Sequence, residues 1–264
     1  MRKFVSTNLT PWVYELKYDL FRQFRSKIAL LINILANIGV YGLIVLVNDS
    51  NAISEWYDVS AANEGMLVLI GYTYWQFSYF IIQVNVFNIS GEYYSGILES
   101  KLLTKSNFIF LMFARIISNL AICLIAQLCV VVFASLFNII NITHIVKYLF
   151  SVLIYAPALL GIFGWAVIFG GITLKIKVMG QFMYVLSGIM LIFSSVYNIN
   201  SNYIQYLFPF ALGIDISREI YLNLSVSIYE WLQYISLNVF YLFAGIVGFN
   251  RLLKSNKKNG CFSA

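Results

Sequence analysis

Charge is scarce in this chain: Asp, Glu, Lys and Arg make up 11% of its 264 residues, and the only histidine is His144. An average soluble domain is about 25% charged. No soluble fold could cover the hydrophobic 61% of this sequence. Cysteine is nearly as rare, and Cys123, Cys129 and Cys261 are too scattered to form a disulfide framework or a zinc site. The closing Cys261-Phe262-Ser263-Ala264 lacks the aliphatic middle of a prenylation box. A G-x-x-x-x-G-K-[ST] phosphate loop is missing, so the chain does not by itself cradle ATP in the usual way. H-E-x-x-H and G-x-S-x-G are missing too, and His144 is expected at an outer membrane boundary. We expect no catalytic set, no metal site and no cofactor bound by this chain.

What the sequence has in abundance is long apolar runs. A bilayer core of about 30 Å takes roughly 20 apolar residues of helix. Runs of that order lie at 28–47, 65–90, 108–137, 145–174, 178–197 and 228–250. Lipid leaves bare backbone unbonded, so spans are helices or closed barrels, and these runs lack the alternation of barrel strands. The prediction is an all-α membrane protein with six transmembrane helices. Residues 1–27 form an N-terminal cytoplasmic or interfacial segment, 28–250 the transmembrane domain and 251–264 a basic cytoplasmic tail. No small-residue cleavage site follows the first run, which is therefore a span and not a signal peptide. Residues 203–212 are apolar, too short to cross and interrupted by Pro209, which predicts a re-entrant half-helix in the outer leaflet. Over 11–27, Trp12, Leu16, Leu20 and Phe24 recur every four residues, the pattern of an amphipathic interfacial helix.

Basic residues orient the chain, because short cytoplasmic loops collect Lys and Arg. With both termini inside a cell membrane, Lys147 and Arg218 alone among the basic residues fall outside, whereas Asp49, Glu55, Asp58, Glu64, Asp215, Glu219 and Glu230 are external. The net charge of +6 thus belongs to the inner face and needs no nucleic acid to explain it. Secondary carriers and pumps usually place ionisable groups inside their spans. Here the spans carry amides instead, and Asn33, Asn37, Gln76 and Gln83 are candidates for a substrate path, against the simpler reading of interhelical hydrogen bonding.

The most informative segment is Gly91 to Phe108, GEYYSGILESKLLTKSNF. Its Glu92, Gly96, Ile97, Leu98 and Glu99 form E-x-x-x-G-I-L-E, followed by Leu102, Leu103, Thr104 and Ser106. In this the chain resembles the type-2 ABC exporter permeases, whose second cytoplasmic loop reads approximately E-x-x-x-G-T-L-E-x-L-x-x-[ST]-P-x-[ST]. Gly71-Tyr72-Thr73-Tyr74-Trp75 and Arg115 also fit that family. Ile97 replaces the usual Thr and Lys105 the usual Pro. The resemblance implies a coupling helix at Ile97, Leu98, Glu99, Leu102 and Leu103 that docks on a cytoplasmic ABC ATPase. Two ATPase copies would hold ATP and Mg, and a second or sister permease would complete a path between the first, second and fifth spans. Unpaired, Glu92 would be costly at the membrane boundary, so it is expected to join Arg115, Arg25 or Arg22 in a charge relay. The aromatic and amide content suits an amphipathic cargo such as a peptide, drug or lipid. The rival readings are an ATP-independent secondary carrier, a membrane scaffold and, third, an intramembrane enzyme.

Overall fold

The structure is a computed structural model and describes residues 2–47, 52–60, 63–104, 107–140, 145–176, 179–196 and 203–258. Of residues 2–9, 203, 257 and 258 it describes the backbone alone. His144, Lys105, Ser106 and Cys261 lie outside the described residues. The regular elements are all helical, with no strand among the described residues. They are α1 (Arg2–Arg25), α2 (Lys27–Val47), α3 (Ala52–Trp56), α4 (Glu64–Tyr94), α5 (Ile97–Leu103), α6 (Phe108–Leu136), α7 (Ile145–Ile154), α8 (Ala156–Thr173), α9 (Met179–Phe193), α10 (Ala211–Tyr221) and α11 (Ile228–Lys258). A 3₁₀ helix, Tyr203–Leu207, leads into α10. Five helices, α2, α4, α6, α8 and α11, are long and apolar enough to cross a membrane, which makes this a multi-pass membrane protein.

At the centre stands α4, which has no polar face and is buried over 83% of its apolar window. A helix that is apolar all round is an interior helix. It packs against α2, α3 and each of α5 through α10. The most extensive helix pair is α8 with α11, where Gly164 and Gly245 let the two backbones meet directly, the small-residue packing that membrane helices use. Helix α2 lies at the periphery, with only Tyr41 and Ile44 buried. Helix α9 runs antiparallel beside α4, its Gly180 against Phe87 and its Ser187 carbonyl accepting from Trp75 Nε1 at 2.9 Å, with Ser194, just past its C-terminus, beside Gly71. The stretch from Phe87 to Gly71 is about 24 Å of helix at 1.5 Å per residue.

Two expectations require correction. The apolar run at 145–174 is not one helix but breaks at Tyr155 into α7 and α8. The cause is Pro157 in the first turn of α8: it has no N–H, and its ring would clash with the carbonyl four residues back. Freed backbone groups at the break are taken up by hydroxyls from other helices. Tyr234 on α11 donates to the Ile154 carbonyl at 3.0 Å and accepts from the Ala158 N–H at 3.2 Å, while Tyr74 on α4 donates to the Ser151 carbonyl at 3.1 Å. Around Pro209, in place of one half-helix over 203–212, the chain forms the 3₁₀ helix, a turn and then α10. Helix α10 packs on α7 and α4, burying Ile214, Ile216, Ser217, Arg218 and Tyr221.

Tyr234→Phe keeps the ring and strands both backbone groups at the break. The expected cost is about 1–3 kcal/mol for unsatisfied buried groups, read as a melting temperature several degrees lower in detergent. An unchanged melting curve would remove Tyr234 as the strut of the break.

Candidate functional site

The short loop between α4 and α6 folds as α5, seven residues long. Gly96 opens it with a φ of 70°, the left-handed conformation that glycine adopts without steric cost, which accounts for a glycine at this point of the motif. Asn107 ends the loop by capping α6, its side chain accepting from the Ile109 N–H at 3.0 Å. Leu98 is 1% exposed and Leu102 partly buried, so this pair anchors α5 to the bundle. Of the residues expected at the contact, Leu98 thus faces the bundle and Leu102 clears it only in part. The outward residues are Ile97, Glu99, Ser100 and Leu103, and Leu103 is 85% exposed.

Beneath α5 lies an ion cluster drawn from four helices. Glu92 Oε1 at the end of α4 lies 2.5 Å from Arg115 Nη2 of α6 and 2.6 Å from Lys101 Nζ of α5. Glu15 Oε1 of α1 is shared by the same two cations, 2.5 Å from Arg115 Nη2 and 2.9 Å from Lys101 Nζ. The Glu92 and Arg115 of the expected relay are thus together. Arg25 is exposed and makes no ion pair with a described residue. Arg22 pairs with Asp19 at 2.6 Å and reaches Asn88 at 3.4 Å, outside the Glu92 cluster.

Asp19 organises a second layer, accepting from Ser118 Oγ at 2.6 Å and Asn119 Nδ2 at 3.2 Å, while Gln23 Nε2 donates to Asn119 Oδ1 at 2.7 Å. A cavity of about 630 Å³ opens beside these groups, bounded by Glu15, Asp19, Arg22, Asn88, Glu92, Lys101 and Arg115. Glu15, Asp19, Gln23 and Lys101 were not among the expected site residues. The signal for three of them was a polar stripe at four-residue spacing on α1, running beside the apolar one.

Burial opposes ionisation of Glu15, but Arg115 and Lys101 beside it outweigh that and hold its carboxyl below its ordinary value of 4.5. For an acid with a depressed pKa, the stabilisation is present above the ordinary value. It is lost as pH falls through the lower folded value.

The amides expected along a substrate path do not converge. Asn37 Nδ2 donates to Asn33 Oδ1 at 2.5 Å, and Tyr72 OH of α4 donates to the Asn37 carbonyl at 2.9 Å, so Asn37 ties α2 to α4 and Asn33 braces it from within α2. Gln76 is buried in α4, and Gln83 lies two turns further along the same helix, half-buried. None of the four lines the cavity beneath α5. A second concavity of about 760 Å³ lies at the other end of the bundle, lined by Tyr206, Leu212, Glu230, Gln233, Ser236, Leu237 and Phe240. Nearby, Arg218 is fully buried, donating from Nε to the Leu67 carbonyl at 3.1 Å and from Nη2 to the Ser195 carbonyl at 2.9 Å.

Because Arg115 has two carboxylates, either one alone still compensates it. Glu92→Gln and Glu15→Gln should each be mild, and the double variant should cost about 3–5 kcal/mol, the penalty of an uncompensated buried charge. Melting curves against pH check this, and Glu15→Gln should also flatten the acid limb below pH 4.5. Additive single effects would show that Arg115 is not shared. The sequence matches no protein-family model and no curated protein.

Proposed function

We propose that this chain is the transmembrane permease subunit of an ATP-driven exporter in a cell membrane, with both termini and α5 on the cytoplasmic side. The single observation that carries this reading is α5, a short helix held off the ends of two long helices, with Ile97 and Leu103 facing outward. Large apolar side chains exposed beyond a membrane bundle are better explained by burial against a partner than by solvation. In this reading the partner is an ABC ATPase, present in two copies, that binds ATP and Mg. A second permease copy completes the path for an amphipathic cargo.

The shared face of the termini rests on reading helix α9 as a span. With five spans the termini fall on opposite faces; with α9 as a sixth they share one face, as the basic residues require. Its 15 residues, about 22 Å of helix lying along α4, support that count. In the outer half, α7, the 3₁₀ helix and α10 are short segments between spans, the arrangement of re-entrant structure.

Coupling has a defined physical route. Lys101 fastens α5 to Glu92 and Glu15, and both of these hold Arg115, so a push on α5 reaches α4, α1 and α6 together. To switch such a bundle almost completely, ATP must favour one state by about 5.5 kcal/mol.

Leu103→Asp should leave the protein inserted and folded but weaken ATPase recovery on co-purification by about thirtyfold, the effect of removing a contact worth about 2 kcal/mol. Leu98→Asp should instead destabilise the fold, since it buries a charge. Full ATPase recovery and transport with Leu103→Asp would overturn the docking role of α5.

A further inference from the structure

Helix α1 turns polar residues into the protein beside the half-buried Trp12, Leu16 and Leu20 of the expected apolar stripe. Its polar residues Glu15, Asp19 and Gln23 turn inward onto Arg115, Ser118 and Asn119 of α6. Its outward face carries Tyr14, Tyr18 and Phe21, each about two-thirds exposed, together with Lys17 and Arg25. Residues 14, 18, 21 and 25 are spaced by four, three and four, so they share one face. This leaves the outward face cationic: Glu15 and Asp19 are the only carboxylates of α1, and both are consumed by the protein's own donors. One residue beyond α1, at Ser26, the membrane-crossing helix α2 begins with Lys27. The outward face of α1 therefore sits at a membrane boundary.

At this place Tyr18, Phe21, Arg22, Arg25 and Ser26 line a concavity of about 280 Å³. The Arg25 guanidinium, which forms no ion pair with a described residue, and the donors that Arg22 keeps beyond its bond to Asp19 suit a phosphate diester, while the Ser26 hydroxyl is taken up by the Gln23 carbonyl; the flanking rings suit the acyl boundary beneath it. We propose that this concavity binds the phosphate of an anionic phospholipid, fixing α1 at the membrane face. The occupant is a lipid and not a free anion, because the aromatic walls continue outward as the exposed stripe of Tyr14, Tyr18 and Phe21. The proposal does not depend on the exporter reading. It requires only that α2 crosses the membrane.

The test uses the purified full-length chain in nanodiscs of equal parts phosphatidylcholine and phosphatidylglycerol, with retained lipids counted by native mass spectrometry. Phosphatidylglycerol should be retained in preference. Lys17→Gln and Arg25→Gln should each cut that preference about fivefold, the effect of one basic residue near an anionic surface. Arg25→Lys should keep most of it. Both side chains are exposed and lie outside the ion cluster, so the variants should melt as the unaltered chain does. Equal retention of the two lipids, or a preference untouched in the double Gln variant, would overturn the proposal. So would displacement of retained phosphatidylglycerol by millimolar inorganic phosphate, which would make this a free-anion site.

Discussion

Lipid offers no hydrogen bonds, so each polar group carried into the bilayer must be answered by another helix. In this protein α4 meets that demand. Five consecutive residues on it reach five other helices. Gly71 leaves room for the Arg218 guanidinium of α10, and Tyr72 bonds to Asn37 of α2. Thr73 meets Tyr148 of α7 and Gln127 of α6, Tyr74 meets Ser217 of α10, and Trp75 bonds to the Ser187 carbonyl of α9. With each residue advancing about 100° around the helix, five positions sample the whole circumference. The resulting bundle is specified by polar contacts and packed by apolar ones.

The same constraint explains α1. Outside the bundle the medium is lipid, so an apolar outward face costs nothing, whereas Glu15 and Asp19 are costly unless paired. Turning them inward joins α1 to α6, and through Lys101 to α5. Carboxylates sharing cations in a cluster are not additive, because the first loss leaves the cation compensated and only the second strands it. A polar junction at the end of a helical bundle is a suitable place for a mechanical input, and α5 is the part of it that presents the exposed Leu103.

Much of this was legible in the sequence, for identifiable reasons. Apolar runs and scarce charge disclose membrane helices because the hydrocarbon thickness sets their length. Glu92 was expected to find a cation because a lone carboxylate at that depth is costly, and Arg115 answers it. The break at Tyr155 was hidden because α7 and α8 are apolar on both sides of it, so hydropathy runs straight through; Pro157 was the available sign. The inward turn of Leu98 was hidden because a seven-residue helix has two apolar faces in this sequence, and only packing decides which one is buried. The role of Glu15 was hidden because its partners lie about 90 to 100 residues away on α5 and α6.

The central claim is that α5 is where a cytoplasmic ATPase presses on this protein. The most direct measurement replaces Leu103 by cysteine, with the native cysteines changed to serine, and attaches a short photo-crosslinker in membranes containing the complete transporter. The account predicts a crosslink to a soluble protein of about 230–300 residues whose peptides include a G-x-x-x-x-G-K-[ST] loop, with a yield that changes on adding ATP and Mg. Crosslinks to lipid alone, or labelling of the Leu103→Cys thiol from outside intact cells by an impermeant reagent, would contradict it.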